Sequence, residues 1–142
     1  MVPDLLVVAA ICIHDTDGRL LTVRKRGTTR FMLPGGKLEP DETPAQAAVR
    51  ETAEEVGIDV DTEDLTLLGH WRAPAANEPD TLIDSTVYTV ELAEPTPEIA
   101  REIEELRWLD IAQADAYGDL APMITGNVLP ALGKTDGSIR QD

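Results

Sequence analysis

The chain has 142 residues, a length that accommodates one domain with its own hydrophobic core. A net charge of −15 argues against nucleic-acid polymers and anionic membranes as partners, because both are bound through Lys and Arg. No apolar run reaches the roughly 18 residues of a membrane span, and a single cysteine, Cys12, excludes a disulfide framework. We therefore expect a cytoplasmic protein that is a monomer or a homodimer.

In chain order, the first predicted elements are strands. Leu5–His14 is apolar and rich in β-branched residues, Asp15–Gly18 supplies turn residues, and Leu20–Arg26 follows as a second strand. This pair predicts a hairpin. Phe31–Lys37 then contains a short extended piece that should stop at Pro34-Gly35-Gly36, because Pro and Gly interrupt regular structure.

A helix is strongly specified after this stop. Thr43 is the expected N-cap, Pro44 suits the first helical position, Gln46 completes a capping box, and Gly57 is a natural residue after the last turn. The core-facing stripe, at helical spacing, is predicted to consist of Ala45, Ala48, Val49, Thr52 and Val56.

Three glutamates of this helix, Glu51, Glu54 and Glu55, follow the i, i+3, i+4 spacing of one helix face. We expect that face to point largely away from the apolar stripe. Like charges at this spacing repel, so the cluster predicts a compensating charge from outside the chain. A hard divalent cation such as Mg²⁺ prefers oxygen ligands of this kind. An ordinary solvated acidic helix remains the alternative on these residues alone.

The rest of the chain predicts a single mixed domain over residues 1–133, followed by a disordered tail over residues 134–142. Strands mixed with two or three helices indicate an α/β (α+β) sandwich. The further strands are Leu65–Trp71, Leu82–Leu92 and Glu104–Leu109, with loops at Arg72–Asp80 and Ala93–Glu98. A short helix is expected at Ile111–Tyr117, and a final helix from about Asp119–Pro122, weakened by Gly126 and Pro130.

The acidic helix lies within a longer spaced pattern, G-x5-E-x7-R-E-x2-E-E-x-G. The residues that match it are Gly36, Glu42, Arg50, Glu51, Glu54, Glu55 and Gly57. The stretch Gly36–Ile58 resembles the Nudix box, the signature of the Nudix hydrolases, and departs from it mildly at Thr52, where an aliphatic residue is usual. The resemblance implies an α/β/α sandwich with a mixed β-sheet. It also implies Mg²⁺-dependent hydrolysis of a nucleoside diphosphate linked to another group.

Residue roles also follow from the resemblance. Glu51, Glu54 and Glu55 would hold Mg²⁺, or Mn²⁺ as an alternative, with help from the carbonyl of Gly36. Arg50 would position Glu51. These four side chains and the Gly36 carbonyl make up the implied metal and catalytic centre.

Outside the box, the resemblance to MutT-like members suggests three further residues. Glu102 lies six residues before Trp108 and would be a metal ligand or a general base, with a solvated strand edge as the alternative. Arg24 and Lys37 would bind phosphate. Lys25 and Arg26 are expected to be ordinary surface cations.

The nucleotide is less well specified. Asn127 would recognise guanine unless it serves as a cap or turn residue, and Phe31 would stack on a base unless it belongs to the core. The leading substrate is a purine (deoxy)nucleoside triphosphate, with 8-oxo-dGTP as one candidate. ADP-ribose or a nucleoside-diphosphate sugar is the alternative, suggested by Pro74 sixteen residues beyond Ile58. A Nudix-type sensor that binds a nucleotide without cleaving it is a second alternative.

Overall fold

The computed structural model describes residues 4–133, so the predicted tail lies outside the described residues. Its strands are β1 (Asp4–His14), β2 (Leu20–Lys25), β3 (Gly35–Lys37), β4 (Thr66–Pro74), β5 (Thr81–Glu91) and β6 (Ile103–Leu109). Helix α1 spans Pro44–Val56, and short 3₁₀ segments lie at Thr62–Asp64 and Ile111–Ala116. Helix α2 covers residues 122–133 and contains a π-helical turn at Ile124–Val128. Within residues 4–133, every helix falls short of the length and apolarity that crossing a membrane requires.

The strands form one mixed sheet in the order β4-β5-β1-β2-β6, with β3 paired to β1. Strands β1 and β5 run parallel, whereas the other pairs are antiparallel. The predicted hairpin holds at its turn, where His14 pairs with Leu20, but β2 forms its long ladder with β6. The chain between β2 and α1 enters the space between the diverging strands, because Met32 bridges Val23 while β3 pairs with β1.

Each face of the sheet is covered by helical structure, which gives the expected α/β/α sandwich. On one face, alternate residues of β1, namely Ala9, Ile11 and Ile13, pack with α1. On the other face, Cys12 packs in a second core with α2 residues that include Ile124 and Val128. The near-continuous apolar run of β1 follows from this double burial, since both of its faces point into a core.

The end signals of α1 are confirmed. The Thr43 side chain accepts a hydrogen bond from the backbone N–H of Gln46, and the Gln46 side chain accepts one from the backbone N–H of Thr43. Gly57 closes the helix in the left-handed region. The predicted core stripe is correct only in part. The buried residues are Ala47, Ala48, Thr52, Glu55 and Val56.

The prediction that an extended piece stops at Pro34-Gly35-Gly36 is correct only at Pro34, which lies in a bend after Met32, because β3 begins at Gly35. A Cβ added to Gly35 would lie 2.3 Å from the carbonyl oxygen of Ala9. Glycine therefore allows β3 to approach β1 closely rather than stopping the strand. The loop predicted from Arg72 is also too long, since β4 continues through Pro74 and pairs with β5.

Candidate functional site

A cavity of about 440 Å³ opens between the sheet, α1 and the first turn of α2. Its floor comes from β1 and β5, and its rim includes Pro74 and the loop after it. One end is lined by Gly36, Lys37 and Glu51 together with Lys25 and Glu102. The rest is mainly apolar, with Val8, Ile83, Met32, Leu33, Met123 and Ile124 among its walls. The cavity therefore has a charged end and an apolar chamber.

Arg50 supplies part of the positive charge that the acidic helix needs. Its guanidinium donates to Glu42 at 2.7 and 3.0 Å, to Glu51 at 3.1 Å and to Glu54 at 3.0 Å. It also donates to the carbonyl oxygen of Lys37 at 3.0 Å, which ties α1 to the end of β3. Hydrogen bonds from Arg50 lower the pKa of Glu42 to about 2. Part of the counter-charge predicted to come from outside the chain is thus internal.

Glu51 and Glu55 occupy different environments from Glu54, so the three glutamates do not share one face turned away from the apolar stripe, contrary to the prediction. The side chain of Glu54 is 53% exposed, that of Glu51 is 20% exposed and that of Glu55 is 1% exposed. Burial is the main cause that raises the pKa of both Glu51 and Glu55, to about 7 for Glu55. The prediction that Glu55 points away from the apolar stripe is wrong, because Glu55 lies on the core side of α1.

The carboxylate of Glu51 lies directly against Gly36. A Cβ added to Gly36 would be 2.5 Å from the carboxyl carbon of Glu51, so a larger residue would displace this carboxylate. The resemblance put the Gly36 carbonyl and Glu51 in one metal site, and the structure places these two residues in contact range.

These residues fit a hard divalent cation by their chemistry. Glu55 Oε2 is a buried oxygen without a hydrogen-bond partner, and Lys25 Nζ is 3.7 Å away, within ion-pair range only. Within residues 4–133, no three Asp, Glu, His or Cys side chains form a preassembled metal cage. Arg50 and Lys25 hold the carboxylates in their present orientations, so coordination would require side chains to rotate.

The two residues predicted to bind phosphate, Lys37 and Arg24, lie in different surroundings. Lys37 is exposed and lines the charged end of the cavity. The Arg24 guanidinium instead donates to the carbonyl of Thr28 and to Glu104 and Glu105, and Arg24 itself does not line the cavity. Its role in phosphate binding stays a prediction.

Lys25, expected to be an ordinary surface cation, lines the cavity and approaches Glu55. A register shift between Arg24 and Lys25 sets the direction of these side chains, because Arg24 pairs with Glu105 and Lys25 with Ile103. The cluster of basic residues before the box was the available sequence signal, but it did not show which member faces the site.

The prediction that Phe31 stacks on a base is not supported by its position. The ring is 1% exposed, and the Arg107 guanidinium lies 3.8 Å from the ring centroid. Phe31 therefore belongs to the core, as the alternative held. Asn127 lies half-buried in the π-helical turn of α2 and outside the cavity lining, so guanine recognition by Asn127 stays a prediction.

Glu102, by contrast, lines the charged end of the cavity immediately before β6. Its negative charge helps to raise the pKa of Glu55. Four polar residues of the lining were not predicted from the sequence: Thr28 in the loop after β2, Asn77 and Glu78 in the loop after β4, and Ser85 in β5. Strand alternation alone assigns no function to Ser85, because only the fold shows that its side chain faces a cavity.

Comparison with known proteins identifies the domain. The family model described as "NUDIX domain" matches residues 4–127. Phosphatase NudJ of Escherichia coli (strain K12) is 30% identical over 126 residues, which cover 85% of this chain and 80% of that protein. A "MutT-like protein" of Streptomyces ambofaciens is 46% identical over 59 residues, 42% of this chain, and the match spans only 38% of that relative's length.

A solved structure shows the same fold over nearly the whole chain. The MutT protein of Methanosarcina mazei Go1 superposes with a TM-score of 0.75 at 18% identity, covering 97% of each chain. At this identity the likeness shows the fold, whereas the family model and the NudJ match show the family.

Proposed function

This chain belongs to the Nudix hydrolase family, and from that premise we propose that it hydrolyses a purine (deoxy)nucleoside triphosphate to a nucleoside monophosphate and pyrophosphate. 8-oxo-dGTP is one candidate within this class. The observation that carries the proposal is the cavity, which joins an apolar chamber to a charged end that contains Glu51 and Gly36. A purine base would occupy the chamber, and the phosphates would reach the charged end.

The charged end requires a bound cation for this reaction. Glu51, Glu54 and Glu102 would repel a polyphosphate, and Arg50 is already shared among several carboxylates. We propose Mg²⁺, with Mn²⁺ as an alternative, held by Glu51, Glu54 and Glu55 with the Gly36 carbonyl. When bound, such an ion lowers the pKa of coordinated water and neutralises charge on phosphate oxygens.

The protein's own residues would then complete the site. Arg50 holds Glu51 and Glu54 in place through its hydrogen bonds. Lys37, and Lys25 as it leaves Glu55, would donate to phosphate oxygens at the same end. Glu102 would accept a proton from the attacking water, which is one of the two roles, general base or metal ligand, that the resemblance to MutT-like members implies.

A second candidate substrate is ADP-ribose or another nucleoside-diphosphate sugar. The observation that favours it is Pro74, which lines the rim of the same cavity at the position that suggested this class. A third reading, a sensor that binds a nucleotide without cleaving it, is disfavoured by the intact set of Glu51, Glu54 and Glu55.

An activity screen tests the proposal. Purine and pyrimidine triphosphates, 8-oxo-dGTP, ADP-ribose and sugar nucleotides would be incubated with the protein with and without Mg²⁺. Pyrophosphate release from purine triphosphates that depends on Mg²⁺ supports the proposal. Turnover confined to ADP-ribose or sugar nucleotides replaces it with the second candidate. Clear binding without turnover of any compound favours the sensor.

A further inference from the structure

Ser85 provides a polar group on the floor of the apolar chamber. It lies in the middle of β5, is 2% exposed and lines the cavity. In the sheet it pairs with Val8 of β1 on one side and Trp71 of β4 on the other. Its side-chain hydroxyl is thus set among apolar neighbours.

Among residues 4–133, the fully buried polar side-chain atoms that lack a hydrogen-bond partner are Thr52 Oγ1 and Glu55 Oε2. The Ser85 hydroxyl is not one of them and borders the cavity instead. Two other polar side chains of the lining are already hydrogen-bonded within the protein. The Thr28 hydroxyl donates to the Lys25 carbonyl at 2.7 Å, and the Asn77 amide oxygen accepts from the backbone N–H groups of Thr29 and Arg30 at 3.4 and 3.2 Å. A hydroxyl that borders an apolar cavity can form a hydrogen bond with a molecule bound there, so Ser85 is a candidate for ligand contact.

We propose that the Ser85 hydroxyl recognises a polar edge atom of the purine base and is a specificity-determining residue of this enzyme. The inference rests on the proposed function, because it takes the base to be the group in the chamber. A base has apolar faces that suit the walls formed by Val8, Ile83 and Met123, and a polar edge that suits one hydroxyl. The hydroxyl both donates and accepts, so it can pair with a ring nitrogen, a carbonyl or an amino group.

The test compares Ser85→Ala with Thr86→Ala. Thr86 is the next residue of β5 and points to the opposite face of the sheet, outside the cavity lining. Calorimetry would measure binding of AMP, GMP, CMP and ribose 5-phosphate. We expect Ser85→Ala to weaken binding of at least one purine monophosphate roughly tenfold and to leave ribose 5-phosphate unchanged. Thr86→Ala should leave all four affinities unchanged.

Thermal unfolding without ligand adds a second readout. A serine whose only role is structural would lower the melting temperature when replaced, whereas removing a hydroxyl that borders the cavity should leave the melting temperature nearly unchanged. Should Ser85→Ala fail to fold, Ser85→Cys keeps a similar size with a much weaker hydrogen-bonding group, and the same loss of purine binding is expected.

The inference is overturned if Ser85→Ala binds every purine monophosphate as the wild type does, if it loses ribose 5-phosphate equally, or if the wild type binds no purine monophosphate. These outcomes are separate from failure of the proposed function, which is measured as pyrophosphate release. Purine binding that depends on Ser85 without turnover would retain the inference and remove the enzymatic proposal. If the wild type releases pyrophosphate and Ser85→Ala keeps the same base preference, the enzymatic proposal would be retained and the inference about Ser85 removed.

Discussion

Glu55 of α1 accepts a hydrogen bond at 3.1 Å from the backbone N–H of Gly35, the first residue of β3. The other carboxylate oxygen of Glu55 is buried without a hydrogen-bond partner. This contact fixes the start of β3 against the helix that carries the acidic residues. It also leaves a half-satisfied carboxylate in a buried position, which costs folding free energy whenever Glu55 is ionised.

The first prediction is that Glu55→Gln removes a pH dependence of stability. The folded-state pKa of Glu55 is raised from 4.5 to about 7, mainly by burial. The contribution of Glu55 to the unfolding free energy is favourable at pH values below its pKa in the unfolded state. It is lost as pH rises through its pKa in the folded state. Because a tenfold change in proton affinity corresponds to about 1.4 kcal/mol, the metal-free wild type should lose roughly 2–3 kcal/mol of unfolding free energy between about pH 4 and pH 8. Urea denaturation across this range, for both proteins, measures it.

Added Mg²⁺ provides the control for this first prediction. A cation held by Glu55 should stabilise the wild type at about pH 8 more than it stabilises Glu55→Gln. Equal slopes of stability against pH in the two proteins would contradict the raised pKa. Equal stabilisation of both proteins by Mg²⁺ would contradict the ligand role proposed for Glu55.

The second prediction concerns catalysis. Glu54→Gln should lower kcat by at least about 100-fold, because a metal ligand's contribution to transition-state stabilisation amounts to several kcal/mol. Its side chain is 53% exposed, so loss of its contact with Arg50 should change metal-free stability by less than about 1 kcal/mol. Steady-state pyrophosphate release with saturating Mg²⁺ measures the first effect, and thermal unfolding the second.

Glu39→Gln is the matched control for Glu54→Gln. Glu39 is also exposed and lies 3.7 Å from Arg50, but it is outside the proposed metal site. It should keep wild-type kcat. Near wild-type turnover by Glu54→Gln would remove the metal role of Glu54, and an equal loss in both variants would show a general charge effect instead.

Local signals of the fold could be predicted because they depend on neighbours in sequence. Thr43, Pro44, Gln46 and Gly57 specify the ends of α1 through contacts within a few residues, and the structure confirms them. The position of β3 could not be predicted, because it depends on a contact between Gly35 and Ala9, two residues that are distant in sequence. Glycine disfavours regular structure in isolation, and here tertiary pairing reverses that preference.

The candidate site also combines features that the local sequence predicts with features that depend on the fold. Spacing placed Glu51, Glu54 and Glu55 on one helix, but the burial of Glu55 depends on β3 and Lys25, which only the fold brings near. Likewise, the register shift in β2 directs Lys25 rather than Arg24 into the cavity. A single sequence carries no local signal for such an irregularity in the ladder.

The third prediction is that Thr52→Val stabilises the protein. Thr52 is 0% exposed, and its hydroxyl has no hydrogen-bond partner. Valine keeps the shape and exchanges an unpaired hydroxyl for a methyl group, so unfolding free energy should rise by about 1 kcal/mol, or roughly 2–4 °C in Tm. Thr52→Ser is the control, since it retains the hydroxyl, loses the methyl group and should lower Tm. A lower Tm for Thr52→Val would show that the hydroxyl has a partner, such as a buried water.

The fourth prediction concerns the ion pair that holds the segment before α2. Arg107 donates to both carboxylate oxygens of Asp119, at 2.7 and 3.0 Å, and these bonds are the main cause that lowers the pKa of Asp119 below 3.8. The stabilisation is present above the unfolded pKa and is lost as pH falls through the folded pKa. Because the Asp119 side chain is 40% exposed, Asp119→Asn should cost only about 0.5–1 kcal/mol at neutral pH, and the two proteins should converge in strong acid. Urea denaturation at about pH 7 and about pH 2.5 measures this difference.

Asp17→Asn is the control, because Asp17 is 78% exposed, lies 3.7 Å from Arg19 and should show no difference at either pH. A cost of Asp119→Asn that is the same at both pH values would assign the effect to packing around Arg107 rather than to the charge of Asp119.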